Sequence, residues 1–116
     1  MTIQHITIQT AMFEEEIEFY EKFVDLKIKT DLRDKGQNIV FLADDEGGSE
    51  IEIINVPEAD LIKCQTVSIG FHAQNLDELY AKLQKEGFVP TPFIEPVPNV
   101  RFFFVNDPAG LRVQFI

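Results

Sequence analysis

Tryptophan is absent, cysteine occurs once, at Cys64, and histidine twice, at His5 and His72. A lone cysteine excludes an internal disulfide and any multi-cysteine metal site. The missing tryptophan removes the largest side chain for stacking on a ligand, so aromatic capture would rest on Phe or Tyr. Bases are scarce as well: ten Lys and Arg stand against twenty Asp and Glu, a formal net charge of -10. That balance excludes the phosphate-neutralising surface of a nucleic-acid binder. It suits a cationic small molecule or a metal-bearing partner, and it also keeps a protein soluble. No apolar run approaches the roughly 18 residues that span a bilayer. The opening residues lack the basic segment and apolar core of a leader. The expectation is a soluble, unprocessed, cytoplasmic protein that does not engage membranes.

What the chain does have is enough apolar mass for one core. Its 116 residues are 45% hydrophobic and 26% charged, so a single domain over 1–116 is expected, burying roughly two-thirds of its unfolded surface.

The same layout occurs twice. Ile3–Gln9 alternates His5, Thr7 and Gln9 with Gln4, Ile6 and Ile8, the pattern of a strand with one buried face. Phe13, Ile17, Tyr20 and Val24 then fall at helical spacing with Glu14, Glu15, Glu18 and Glu21 off the stripe. Thr10 is the expected N-cap, and the acidic run Glu14–Glu16 reads as a solvated helix face. Three short strands follow at Leu26–Leu32, Asn38–Leu42 and Glu50–Asn55, separated by Asp- and Gly-bearing turns. This first module spans about 1–56.

After the connector Pro57–Asp60, the second module, about 65–116, repeats the order. Gln65–Ala73 reads as a strand, with Val67, Ile69 and Phe71 on one face and Ser68, Gly70 and His72 on the other. Asn75 with Glu78 makes a capping-box start. Leu76, Leu79, Tyr80 and Leu83 form the apolar stripe, and Gly87 sits at a left-handed C-cap position. The proline-bearing segment Val89–Pro96 reads as a sheet edge. Val100–Val105 and Leu111–Ile116 read as a hairpin around Asn106–Gly110. His5 registers with Ser68 at an offset of 63 residues, and Glu52 with Gln114 at 62. A nearly constant shift of that kind points to duplication.

The expected fold is therefore α+β: two tandem βαβββ modules whose curved mixed sheets form a cleft, with helices on the outer faces. Ile6, Ile8, Ile51 and Ile53 are the expected buried set of one module, and Ile69, Phe71, Val113 and Phe115 that of the other. The opposite faces carry His5, Thr7, Gln9, Glu50, Glu52, Ser68, His72, Arg112 and Gln114. So many polar groups must meet solvent or a ligand, because burying them unpaired is costly.

Several segments resemble the vicinal oxygen chelate superfamily, which includes glyoxalase, fosfomycin-resistance, bleomycin-resistance and extradiol dioxygenase proteins. They are His5 opening the first strand, Ile17-Glu-Phe-Tyr20, Val67-Ser-Ile-Gly-Phe71 before Asn75-Leu-Asp-Glu-Leu79, and above all Phe104-Val-Asn-Asp-Pro-Ala-Gly-Leu-Arg-Val-Gln114. The resemblance implies paired βαβββ modules, commonly a homodimer, and a cleft formed by modules of one chain or of two. It also implies metal-ligand positions at His5, Glu52, Ser68 and Gln114. His5 and Glu52 suit Zn²⁺, Ni²⁺, Fe²⁺ or Mn²⁺. Ser68 and Gln114 depart from the family's histidine and glutamate, and Gln114 cannot accept the proton a glyoxalase carboxylate shuttles. His72 lies about 13 Å along the strand from Ser68, too far to replace it, whereas Glu50 lies about 7 Å from Glu52.

Two functions of different class follow. One is a metal-dependent lyase, isomerase, thiol transferase or dioxygenase acting on a small oxygenated substrate through His5 and Glu52. The other is a glyoxalase/bleomycin-resistance-like protein that holds a small molecule, of the cationic kind the acidic chain suits, in a polar cleft with an incomplete metal-ligand set. The third and fourth ligand positions favour the second. A regulatory module with a vestigial cleft is a weaker third reading. Thr7, Glu50, Ser68, His72, Arg101, Phe102 and Arg112 are the expected lining. Arg101 and Arg112 could take a carboxylate or phosphate or answer nearby acids. Cys64 has no histidine at catalytic spacing and reads as structural.

Overall fold

The computed structural model describes residues 1–116. The chain divides into two compact units, Met1–Leu61 and Ile62–Ile116. Each contains one α-helix and a four-stranded mixed sheet, and the first also has a short 3-10 turn at Arg33–Lys35.

The first unit runs β1 (His5–Thr10), α1 (Phe13–Phe23), β2 (Lys27–Asp31), β3 (Ile39–Ala43) and β4 (Glu50–Asn55). Its sheet has the order β1-β4-β3-β2, with β1 parallel to β4 and the other pairs antiparallel. A parallel pair needs a crossover, and here α1, β2 and β3 supply it. In the register His5 faces Glu50, Thr7 faces Glu52, and Phe41 of β3 also faces Glu52. The alternate residues Ile8, Val40, Leu42, Ile51 and Ile53 are 5% exposed or less and form the core with Phe13, Ile17, Phe19, Tyr20 and Phe23 of α1.

Four expectations change here. The helix begins at Phe13 with Met12 as its N-cap and no side-chain cap. Thr10 instead ends β1, where its hydroxyl oxygen accepts the Met12 N–H at 2.9 Å. Val24 closes α1 as its half-buried C-cap, and Asp25 follows in the left-handed region at φ 58°. Ile6 is 36% exposed near the start of the outer strand β1, whereas Ile8 on the same strand is 2% exposed. Glu16 does not join Glu14 and Glu15 in solvent: it is fully buried beside Ile17 on the inner face of α1.

The second unit repeats the order with β5 (Ser68–Phe71), α2 (Leu76–Lys85), β6 (Ile94–Val97), β7 (Val100–Asn106) and β8 (Arg112–Phe115). Its sheet is ordered β5-β8-β7-β6, with β5 parallel to β8. Ser68 faces Arg112 and Gly70 faces Gln114. These pairs correspond in register to His5–Glu50 and Thr7–Glu52 at the expected offsets of 63 and 62 residues. Phe103, Val105, Val113 and Phe115 make the core, with Phe103 packed against Tyr80, Phe93 and Phe115. Ile69 and Phe71 are only half-buried, since β5 is again an outer strand. The opening strand is shorter than Gln65–Ala73, leaving Val67 61% exposed and His72 beyond its end.

Helix α2 is closed locally at both ends. Asn75 accepts the Glu78 N–H at 3.1 Å and donates its side-chain amide to the Glu78 carboxylate at 3.1 Å. At the other end Gly87 adopts φ 90°, and the Gly87 and Phe88 N–H groups donate to Gln84 and Leu83 carbonyls. This is the paired bonding of a Schellman cap. The hairpin joining β7 to β8 is tied by Asp107, whose carboxylate accepts the Leu111 N–H at 2.9 Å. At Gly110, φ is 94°, and a Cβ there would lie 2.4 Å from the Ile62 carbonyl oxygen. Only glycine fits. The far edges of both sheets, β2 and β6, carry register shifts, and β6 contains Pro96.

Candidate functional site

The face of the first sheet away from α1 holds a small polar cluster. His5 Nε2 stands 3.5 Å from Glu52 Oε1, and Thr7 Oγ1 donates to the same oxygen at 2.5 Å. The pair is diagonal across β1 and β4, because His5 is directly opposite Glu50 and Glu52 is opposite Thr7. Phe41 supports the imidazole edge-on at 5.6 Å. The His5 side chain keeps 38% exposure while Glu52 keeps 14%. The arrangement can bind a cation, accept a hydrogen bond, or move a proton between imidazole and carboxylate.

The matching face of the second sheet has different chemistry at each position. Ser68 replaces His5, Arg112 replaces Glu50, Gly70 replaces Thr7, and Gln114 replaces Glu52. Gly70 leaves room for the Gln114 amide, whose Oε1 would be 3.2 Å from a Cβ there. The Arg112 guanidinium lies 3.7 Å over the Phe104 ring and donates from Nη1 to the Gln65 carbonyl at 2.9 Å. Phe102 meets Phe104 edge-on at 5.6 Å. Beside Arg112 a cavity of about 440 Å³ opens between β7, the start of β8 and the segment after α2.

Not every expected lining residue joins these faces. Arg101 shares the alternation of buried Phe103, so it points to the helix-bearing side. There it pairs with Asp77 at 2.8 and 3.1 Å and stacks 3.6 Å over Phe93. The Arg101 guanidinium holds the Asp77 carboxyl below its ordinary value, chiefly by hydrogen bonding. His72 is exposed beyond β5. Cys64 lies 3.3 Å from the Thr66 hydroxyl. Hydrogen bonding to that hydroxyl, then to the Thr66 and Val67 backbone, lowers its pKa. Residues that sequence reasoning did not single out include Phe41, Gln65 and Thr91. Alternation alone could have put Phe41 on a face, but only strand register puts it opposite Glu52.

A metal ion finds too few donors within either unit. His5 and Glu52 are two, against the three or more protein ligands of a catalytic zinc centre. No group of three or more His, Cys, Asp or Glu side chains is disposed to hold a metal. The second face adds only neutral or cationic groups, so no step through a metal is derived from these residues. No helix is long and apolar enough to cross a membrane.

The fold is shared with several solved structures. A possible glyoxalase from Bacillus cereus has 23% identity and a TM-score of 0.76, aligning 100% of this chain with 98% of that one. The trypanothione-dependent glyoxalase I of Leishmania major has 19% identity and a TM-score of 0.75, over 100% and 86% of the two chains. An antibiotic-binding protein from a Streptomyces species has 16% identity and a TM-score of 0.72, over 99% and 93%. A comparison with curated proteins finds no match. The model of the Glyoxalase/Bleomycin resistance protein/Dioxygenase superfamily matches residues 2–115, and the chain belongs to that superfamily.

Proposed function

We propose that this chain is a small-molecule-binding protein of the bleomycin-resistance kind, using the polar faces of its two sheets and an incomplete metal-ligand set. The observation that carries the reading is the contrast at equivalent positions. His5 and Glu52 meet on one face, while Ser68 and Gln114 stand in their places on the other. Thr7 and Glu50 extend the first face, and Phe102 and Arg112 the second. Arg101 is left out because Asp77 and Phe93 already engage it. A relative that binds an antibiotic on the same fold supports the reading. Glu50 and Glu52 on the first face favour a cationic portion of the ligand there.

The His5–Glu52 pair also favours a second reading, a divalent-metal-dependent lyase, isomerase or dioxygenase acting on a small oxygenated substrate. Elemental analysis after equilibration with Zn²⁺, Ni²⁺, Fe²⁺ and Mn²⁺ separately decides between them. The binding-protein reading expects no stoichiometric metal and no difference between the native chain and His5→Ala. A full equivalent of metal that disappears in His5→Ala and in Glu52→Gln would sink it in favour of the enzyme.

We propose further that the protein is a cytoplasmic homodimer. Strands β1 and β5 each leave one edge unpaired, with Ile6 and Val67 exposed on or beside them, and such edges are commonly covered by a second chain. Light scattering on the eluting protein should give twice the 13.3 kDa chain mass. A monomer mass across concentrations would refute the dimer.

A further inference from the structure

The chain has three arginines, at 33, 101 and 112. Arg33 bridges to Asp31 at 2.6 Å and reaches Glu14, and Arg101 bridges to Asp77 at 2.8 Å. Arg112 makes no ion pair. Its plane rests on Phe104 at 3.7 Å, and its Nη1 is bonded to the Gln65 carbonyl. In a chain with two acids for every base, an arginine outside any ion pair is the exception. The stacking and the carbonyl bond fix its orientation, which leaves Nε and Nη2 with donors of set direction.

Arg112 lines the 440 Å³ cavity, which lies within the size range of small-ligand sites. Phe88 and Val89 give it an apolar wall. Thr91 gives it a hydroxyl whose oxygen already accepts the Phe104 N–H at 3.0 Å, so its own proton can go to an incoming acceptor. The Asp107 carboxylate at the rim accepts the Leu111 N–H at 2.9 Å.

We propose that this cavity is an anion subsite in which Arg112 and Thr91 take the carboxylate of a small organic acid, with its apolar part against Phe88 and Val89. A planar carboxylate matches a pre-oriented guanidinium edge through two parallel hydrogen bonds. The proposal rests on the small-molecule reading above and adds the place and the charge of one portion of the ligand.

The test uses the full isotopically labelled chain, titrated with benzoate and, separately, with the neutral isostere benzamide. Backbone amide shifts and the Arg112 Nε signal are followed by NMR. Saturable shifts at 87–91, 104–106 and Arg112 are expected with benzoate, with benzamide at least about tenfold weaker for want of the charge-assisted pair. Arg112→Met should weaken benzoate by at least about the same factor, with Arg112→Lys in between. Removing the charge from the ligand needs no variant, so the comparison stands even if Arg112→Met fails to fold. Equal binding of the two probes would overturn the proposal, as would no saturable shift up to roughly 20 mM, weaker than millimolar affinity. Shifts confined to 5–9 and 50–54 would overturn it while leaving small-molecule binding standing.

Discussion

Helix α1 buries Phe13, Glu16, Ile17, Phe19, Tyr20 and Phe23 and has no side-chain cap, whereas α2 buries only Leu83 and is hydrogen-bonded locally at both ends. The two helices occupy equivalent places in modules of the same order. One is held by long-range burial against its sheet, where a short isolated helix would be marginal. The other is held by the Asn75–Glu78 box and the Gly87 turn, each of which satisfies backbone groups that burial does not reach. Duplicated modules can thus keep a shape while exchanging the source of its stability. The exposed faces diverged in the same way: Glu50 became the counterpart of Arg112, and Glu52 of Gln114.

The largest expected effect breaks this comparison at its strongest point. Phe19→Ala empties a site that is 1% exposed and should cost about 3–5 kcal/mol in urea unfolding. A loss below about 1 kcal/mol would mean that α1 is not held by its buried face. Next, Gly110→Ala combines φ 94° with a Cβ pressed on the Ile62 carbonyl and should cost about 1–3 kcal/mol. Gly87→Ala, at φ 90° in open space, should cost about 1 kcal/mol. The gap between the two separates steric overlap from backbone strain, and equal costs would remove the overlap argument. Asn75→Ala should cost about 1 kcal/mol by thermal or urea unfolding. Met12→Ser, offering α1 the cap it lacks, should return up to about 1 kcal/mol by the same measurement.

The smallest effect concerns pH. Hydrogen bonding from Arg33 lowers the Asp31 pKa to about 2, and Arg101 lowers that of Asp77. Depressed carboxylates stabilise the folded state above the unfolded value of about 3.9, and this is lost as pH falls through the folded one. Urea midpoints should therefore carry no contribution from these pairs to pH dependence between pH 5 and 7, and a declining one from about 4 towards about 2. Arg33→Met and Arg101→Met should each flatten that decline in one unit. Unchanged acid slopes would show that these exposed pairs contribute nothing measurable.

Much of this was legible in the chain itself. Period-two alternation located the polar faces, and the spacing Asn75–Glu78 with Gly87 located both ends of α2 because those signals are local. Thr10 misled because a hydroxyl that ends a strand bonds forward as readily as one that starts a helix. Glu16 misled because its neighbours Glu14 and Glu15 are solvated, and only the helix phase against β4 takes it inside. Ile6 has core chemistry but lies on an outer strand, and Val67 falls just before one, and neither strand order nor strand ends are written in local sequence. Arg101 and Arg112 are alike in composition. Alternation against Phe103 and the position of Asp77 sent one to the helix side and left the other beside a cavity.

The sheet edges have a consequence for self-association. In each unit the far edge, β2 or β6, is interrupted by a register shift and by exposed Lys27 and Lys29 or by Pro96, features that discourage a further strand. The opposite edge, β1 or β5, pairs regularly along its length with its inner neighbour. A sheet with one receptive side and one blocked side can gain a single partner and then stops growing. Template-driven fibre extension needs both sides receptive, so the same geometry that permits pairing also terminates it.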